Sequence, residues 1–424
     1  MINFTNDNEV IRSESYNAIV VGLEVNENID KSMDELEALA EAADIKVLAS
    51  MVQRLEKPNN ATYIGKGKLT ELAEMSKNME ADLVIFNDEL SGVQLRNIED
   101  AVGVSVIDRT TLILDIFAKR AISLEGKLQV EYAQLKYRLP RLLGLGNSLS
   151  RQGGGIGTRG PGEKKLETDR RHIQSRMDEI KKQLAEVKAS RNTQRAKRQK
   201  SNLPVVSLVG YTNSGKSALM NKLLEISNHE DKQVFERDML FATLDTAQRL
   251  IKLENGCEFI LADTVGFVSK LPHALVNAFK STLEELLYSD LIVHVIDMTS
   301  DDFRFKFEVT KDVLKQIGVH EKKSLVVFNK KDIANEKLDY EEEHLEISAK
   351  TGDGIKQLLE EVQRLLFADR KYAELLLPYE RGDVISYLCE KADVQNIQYL
   401  EEGTLVKVNL DAVDYARLSG YDTL

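Results

Sequence analysis

The run Gly210-Tyr211-Thr212-Asn213-Ser214-Gly215-Lys216-Ser217 sets two glycines five positions apart, with a lysine and a hydroxyl directly after the second. Glycines there let the backbone N–H groups of residues 213–217 close around the oxygens of the α- and β-phosphates. Lys216 can then reach the β and γ oxygens, and the Ser217 hydroxyl can hold Mg²⁺. Such a loop works only between a buried strand and a helix. Pro204-Val205-Val206-Ser207-Leu208-Val209 supplies the strand, and Ala218 to Leu224 the helix.

Four further segments have types and spacing that suit a nucleotide. An apolar run ends in Asp263-Thr264-Val265-Gly266, where the carboxylate can contact Mg²⁺ through water and the Gly266 amide can meet a γ-phosphate. Phe241-Ala242-Thr243-Leu244-Asp245 reads either as an ordinary loop or as a segment whose Thr243 hydroxyl joins Mg²⁺ only while a γ-phosphate is present. Leu325-Val326-Val327-Phe328 is a second buried strand, delivering Asn329-Lys330-Lys331-Asp332 at its carboxyl end. The Asp332 carboxylate can accept from N1–H and the N2 amino group of guanine, neither of which adenine offers in that arrangement. Ser348-Ala349-Lys350 adds a loop whose backbone could meet the base oxygen. The expected Mg²⁺ ligands are Ser217, Thr243 and Asp263, and the residues acting on the transferred phosphate are Lys216, Thr243 and Gly266.

Taken in chain order, with the Thr243 segment before Asp263, these five elements resemble those of the translation-factor-related GTPases, over about 165 residues. The resemblance implies GTP and GDP as ligands. Many such enzymes carry Gln directly after the Asp-x-x-Gly element, where its amide orients the attacking water; here that position is Phe267. Slow hydrolysis that a partner accelerates is one expectation, and replacement of Gln by a residue elsewhere in the chain is the other. Asn213, three residues after Gly210, resembles the asparagine of potassium-activated GTPases, where K⁺ beside the phosphates supplies positive charge. A phosphate-loop asparagine without an ion is the plainer reading.

The elements around this site imply several domains, because 424 residues exceed what one hydrophobic core usually supports. A composition of 42% apolar and 30% charged residues excludes collagenous and wholly disordered chains. Two cysteines, Cys257 and Cys389, are too few for a disulfide framework or a thiolate cluster, which suits a reducing cytoplasm. The first residues lack the pattern of a signal peptide, and no membrane span is expected.

In residues 1–126, short apolar runs at 17–24, 45–50, 82–87 and 104–109 predict strands. Amphipathic stretches at 33–43, 68–77, 91–102 and 110–122 predict helices, together making an α/β domain with a parallel sheet. In residues 127–200, Leu128, Leu135 and Leu142 repeat by sevens, and Ile173, Met177, Ile180, Leu184 and Val187 alternate spacings of four and three. Those are heptad seams, and they predict a long antiparallel helical hairpin. Its connection, Gly144 to Gly162, holds eight of the 24 glycines together with Arg151 and Arg159. It reads as a linker or as a loop that brings amides and guanidinium groups against an RNA backbone. Net charge supports the second reading: residues 151–200 carry +9, on a chain whose total is −12. Residues 201–369 form the nucleotide domain, and 370–424 predict a small α+β domain with elements at 375–378, 383–391, 396–401 and 404–410.

Beyond the nucleotide motifs, Asn87-Asp88-Glu89-Leu90-Ser91, Gln94-Leu95-Arg96-Asn97 and Val106-Ile107-Asp108-Arg109-Thr110 resemble the HflX family of ribosome-associated GTPases. The run from Gly126-Lys127-Leu128-Gln129-Val130-Glu131 to Leu166-Glu167-Thr168-Asp169-Arg170-Arg171 does so too. Lys164-Lys165, after Glu163, departs from that pattern, which has Thr followed by Gln or Lys. The resemblance implies that the N-terminal domain binds the 50S subunit near the peptidyl-transferase region, with the basic glycine-rich loop as the tip that contacts 23S rRNA; separately, a cytoplasmic monomer is expected. It implies splitting or rescue of stalled ribosomes under stress, and for some members ATP at the N-terminal domain. A GTPase of subunit assembly and a nucleotide-gated RNA-binding adaptor are the alternatives. Tyr63-Ile64-Gly65-Lys66-Gly67-Lys68 opens a helix and reads as ordinary turn chemistry or as a second phosphate-binding turn.

Overall fold

A computed structural model describes residues 16–26, 28–149, 161–199, 203–227, 247–253, 257–264, 266–269, 284–319, 322–334, 340–367, 371–410 and 412–423. Its contacts divide the chain into two units. One holds residues 1–192 with two short later segments, and the other holds most of the remainder to 424.

The first unit begins with an all-parallel sheet of β1 (Tyr16–Glu24), β2 (Ile45–Arg54), β3 (Leu83–Phe86) and β4 (Ser105–Asp108), in the order β2-β1-β3-β4. Helices α1 (Asp30–Ala42), α2 (Lys66–Asn78), α3 (Gly92–Val102) and α4 (Arg109–Arg120) connect and follow the strands. A strand covered on both faces reads as an unbroken apolar run, and Ala18 to Leu23 of β1 are buried accordingly. Helix α3 starts where the Ser91 hydroxyl accepts from the Gln94 amide and the Gln94 side chain accepts from the Ser91 amide. It stops at Gly103, whose φ of 74° is the left-handed conformation that glycine adopts without a Cβ penalty.

Helix α5 (Leu124–Leu149) and helix α6 (Pro161–Gln199) follow. Met177 and Ile180 are buried and Ile173, Leu184 and Val187 half-buried, so the second heptad seam faces inward. The two helices meet at a two-pronged ion pair, in which Arg176 Nε and Nη2 contact the Glu131 carboxylate at 2.7 and 2.9 Å. The expected connection is shorter than its glycines suggest. Helix α5 runs through Pro140, Gly144 and Gly146 to Leu149, and residues 150–160, with Arg151 and Arg159, lie outside the described residues. The turn after Pro140 is held by Arg141, which pairs with the buried Asp108, donates to the Leu90 carbonyl at 3.0 Å and stacks 4.1 Å from the Tyr137 ring. Asp108 also caps α4 through the Thr111 amide and accepts from the Tyr137 hydroxyl at 2.7 Å. Tertiary anchoring of this kind overrides the helix-breaking tendency of Pro and Gly.

The second unit contains a six-stranded sheet of β5 (Val205–Val209), β6 (Ala247–Lys252), β7 (Glu258–Asp263), β8 (Leu291–Asp297), β9 (Ser324–Asn329) and β10 (Leu345–Glu346). Its order is β10-β9-β8-β5-β7-β6, parallel except where β6 runs against β7. Helices α7 (Lys216–Ile226), α8 (Phe303–Gln316) and α9 (Ile355–Leu366) belong to it, and a core spanning Val206 to Val362 lies between α7, α9 and the sheet. The carboxyl ends of β5, β7 and β9 fall on one edge of this sheet, where α/β folds place ligands.

The last segment is an antiparallel sheet of β11 (Lys371–Leu377), β12 (Asp393–Leu400) and β13 (Gly403–Leu410), in the order β11-β13-β12. Helices α10 (Gly382–Lys391) and α11 (Ala412–Leu418) accompany it, around a separate core that includes Leu375, Leu388 and Val406. Among the described residues, no helix is long and apolar enough to cross a membrane.

Candidate functional site: a phosphate loop and a base-reading edge

Residues 210–215 form the turn from β5 into α7, which begins at Lys216. Gly215 has a φ of 89°, and a Cβ built on it would stand 2.1 Å from Asn329 Nδ2. Only glycine fits there, because the backbone is left-handed and a neighbour occupies the space of a side chain. Asn213 also adopts a positive φ, 60°, which leaves its side chain exposed at the rim.

Lys216 is buried, and its Nζ donates to the carbonyls of Gly210 at 3.1 Å and Tyr211 at 2.7 Å. Burial pushes its pKa down to about 8, while the Asp263 carboxylate pulls it back upward. A phosphate would restore the lost charge stabilisation. Asp263 ends β7 fully buried, and its Oδ2 accepts from the Ser217 hydroxyl at 2.7 Å. A carboxylate and a hydroxyl side by side beneath the phosphate loop are a donor set that fits Mg²⁺, an oxygen-seeking cation. Next to Asp263, the Thr264 hydroxyl donates to the Leu208 carbonyl at 2.7 Å, binding the end of β7 to β5.

Gly266 lies against the phosphate loop. A Cβ there would come within 2.8 Å of Thr212 Cα and 3.1 Å of Lys216 Nζ. Phe267 is 1% exposed, and its main chain pairs with the loop: its amide donates to the Gly210 carbonyl at 3.2 Å and its carbonyl accepts from the Thr212 amide at 2.8 Å. The sequence offers no signal for that bridge.

The residues expected to read the base sit at the ends of β9 and β10. Asn329 is buried; its Nδ2 donates to the Ser214 carbonyl and its Oδ1 accepts from the Ala349 amide, both at 2.9 Å. The chain turns at Lys330, left-handed with φ 70°, and Lys330 Nζ pairs with Asp297 at the end of β8 at 2.7 Å. Lys331 is exposed, and its amide donates to the Ile347 carbonyl at 3.1 Å. Asp332 Oδ1 accepts from the Ser348 hydroxyl at 2.7 Å, which fixes the carboxylate in orientation. Ala349 is buried and Lys350 exposed in the turn beyond. The structure thus brings together residues 210–217, 263–264, 266, 329–332 and 348–350. Phe241, Ala242, Thr243, Leu244, Asp245 and Val265 lie outside the described residues.

Residues 30–118 match the family described as GTP-binding GTPase N-terminal, residues 120–198 the GTP-binding GTPase Middle Region, and residues 205–330 the 50S ribosome-binding GTPase. GTPase HflX of Caldanaerobacter subterraneus is 48% identical over 413 residues, covering 97% of this chain and 95% of that protein. GTPase HflX of Escherichia coli is 40% identical over 400 residues, covering 92% of each. A GTP-binding protein of Sulfolobus solfataricus solved with GDP matches 83% of this chain and 98% of that one, at 26% identity and a TM-score of 0.44. Fold and site define a P-loop protein that binds and hydrolyses GTP. Within that class, the chain belongs to the HflX family of GTPases.

Proposed function

We propose that this GTPase binds the large ribosomal subunit and splits or rescues stalled ribosomes, with GTP as the switch. The observation that carries the reading is the match of residues 205–330 to a 50S ribosome-binding GTPase. Charge supports it: residues 151–200 carry +9 on a chain of −12, an arm suited to the phosphate backbone of 23S rRNA. In this reading the N-terminal α/β domain and the loop between α5 and α6 make the rRNA contact.

At the site, residues 213–217 cradle the α- and β-phosphates, Lys216 neutralises the β and γ oxygens, and Gly266 offers its amide to the γ-phosphate. Mg²⁺, which draws electrons from the phosphate oxygens, would be held by Ser217 and Thr243 directly and by Asp263 through water. Asp332 reads guanine, and Ser348, Ala349 and Lys350 border the base. Asn213 at the exposed rim suits a K⁺ ion beside the phosphates, and ATP at the N-terminal domain would use the turn before α2. With Phe267 buried, hydrolysis in the isolated chain is slow and the ribosome accelerates it.

Sedimentation of 70S ribosomes with the protein and GTP or a non-hydrolysable analogue tests the proposal. Free subunits should appear with either nucleotide, and Lys216→Ala should produce none. An unchanged distribution of particles would favour a GTPase of subunit assembly or a nucleotide-gated adaptor.

A further inference from the structure

Phe267 removes the side-chain amide that would orient the attacking water, so a different group has to supply that hydrogen bond. Such a group must lie beside the Gly266 amide and Lys216, accept a hydrogen bond, and be shielded from bulk water. Thr212 is the residue of the loop that lies there. Its Cα and Cγ2 stand 2.8 and 2.9 Å from the position of a Cβ on Gly266, and Lys216 Nζ stands 3.1 Å from that same point. The residue is 7% exposed, and among the described residues its Oγ1 is buried with no hydrogen-bond partner. Buried hydroxyls are normally paired, and one left unpaired at a nucleotide site marks a place where a ligand or a water belongs.

The other unpaired hydroxyl of the loop, Ser214 Oγ, does not compete. It faces Gly210, 3.0 Å from the position of a Cβ there, next to the Val295 carbonyl. Thr212 is also held in place by the residue whose chemistry it makes up for, since its amide donates to the Phe267 carbonyl at 2.8 Å. Tyr211 and Phe267 form a parallel bridge beside this bond, which continues the pairing of β5 with β7 into the phosphate loop.

We propose that Thr212 is a catalytic residue whose hydroxyl orients the water that attacks the γ-phosphorus of GTP, in place of the glutamine that Phe267 replaces. In that step the water oxygen bonds to the γ-phosphorus. The bond from that phosphorus to the β–γ bridging oxygen breaks, leaving its electron pair on GDP. The water proton passes to the released phosphate. Thr212 Oγ1 accepts a hydrogen bond from the water and keeps its own proton throughout.

The test is single-turnover hydrolysis of GTP by the full chain, alongside equilibrium binding of GTP, for Thr212→Val and Thr212→Ser. Valine keeps the branched shape and loses the hydroxyl, whereas serine keeps the hydroxyl and loses the methyl that packs on Gly266. Thr212→Val should lower the rate at saturating GTP by roughly tenfold to a hundredfold, with GTP affinity within about twofold of the parent. Thr212→Ser should hydrolyse within about threefold of the parent rate. A parental rate in Thr212→Val would overturn the proposal. So would equal slowing of both variants, or a fall in rate that follows a fall in affinity, since each points to loop packing alone. The assay contains no ribosome, so its outcome stands apart from the ribosomal reading; it rests only on GTP hydrolysis.

Discussion

The side-chain amide of Asn329 donates to the carbonyl of Ser214 at 2.9 Å, across 115 residues of chain. With its Oδ1 on the Ala349 amide, the same residue ties the phosphate loop to the turn proposed to border the base. Asn329→Ala leaves two buried main-chain groups unpaired, at about 1–3 kcal/mol. The Kd values of GTP and GDP should rise together, by roughly tenfold to a hundredfold, in a fluorescence titration. A change confined to GTP would show that the link serves the γ-phosphate instead.

Asp332 accepts from Ser348 at one oxygen, which sets the carboxylate for a base that donates twice. Asp332→Asn replaces a charged acceptor with a group that also donates, so it disfavours guanine and suits xanthine, which carries a carbonyl where guanine carries an amino group. Competition binding should show GTP weakened by roughly a hundredfold and xanthosine triphosphate strengthened. An unaltered preference would remove Asp332 from the base site.

Lys216 gives binding a pH dependence of known sign. Burial takes its pKa from 10.5 to about 8, and a bound phosphate favours the ammonium form. Binding therefore takes up a proton above about pH 8, and the Kd for GDP should rise with pH there, approaching roughly tenfold per unit. Titrations between about pH 7 and 9.5 would read it. A flat profile would contradict the lowered pKa of Lys216.

His294 on β8 is buried edge-on against Phe307, with ring centroids 5.3 Å apart. Burial, with a smaller contribution from Lys311, pushes its pKa from 6.5 down to about 4. Between those values the unfolded chain binds a proton that the native imidazole refuses, so stability falls as pH drops through that window. The full loss is on the order of 3 kcal/mol. His294→Phe should flatten the urea midpoint between those pH values, and retention of the parental slope would assign it to other groups.

Much of this architecture is legible in the residues themselves. Strands β5 and β9 announce themselves as apolar β-branched runs because both of their faces are covered, and each ends at residues expected to meet a nucleotide. The seam of α6 is legible for the same reason: Met177 and Ile180 recur on the face that packs inward. The reach of α5 is not. Gly144 and Gly146 read as loop, and what keeps the chain helical past Pro140 is the grip of Arg141 on Asp108, which no local pattern encodes. The bond of Asn329 to Ser214 and the bridge of Phe267 to the phosphate loop are equally silent, being partnerships of residues far apart in the chain.

The most direct measurement joins the nucleotide site to the ribosome. Purified 70S particles are sedimented with the parent protein or Asp332→Asn, each with a non-hydrolysable analogue of GTP or of xanthosine triphosphate. A nucleotide-gated splitting role requires that the parent release subunits with the guanosine analogue only, and Asp332→Asn with the xanthosine analogue only. Intact 70S particles under all four conditions would contradict it.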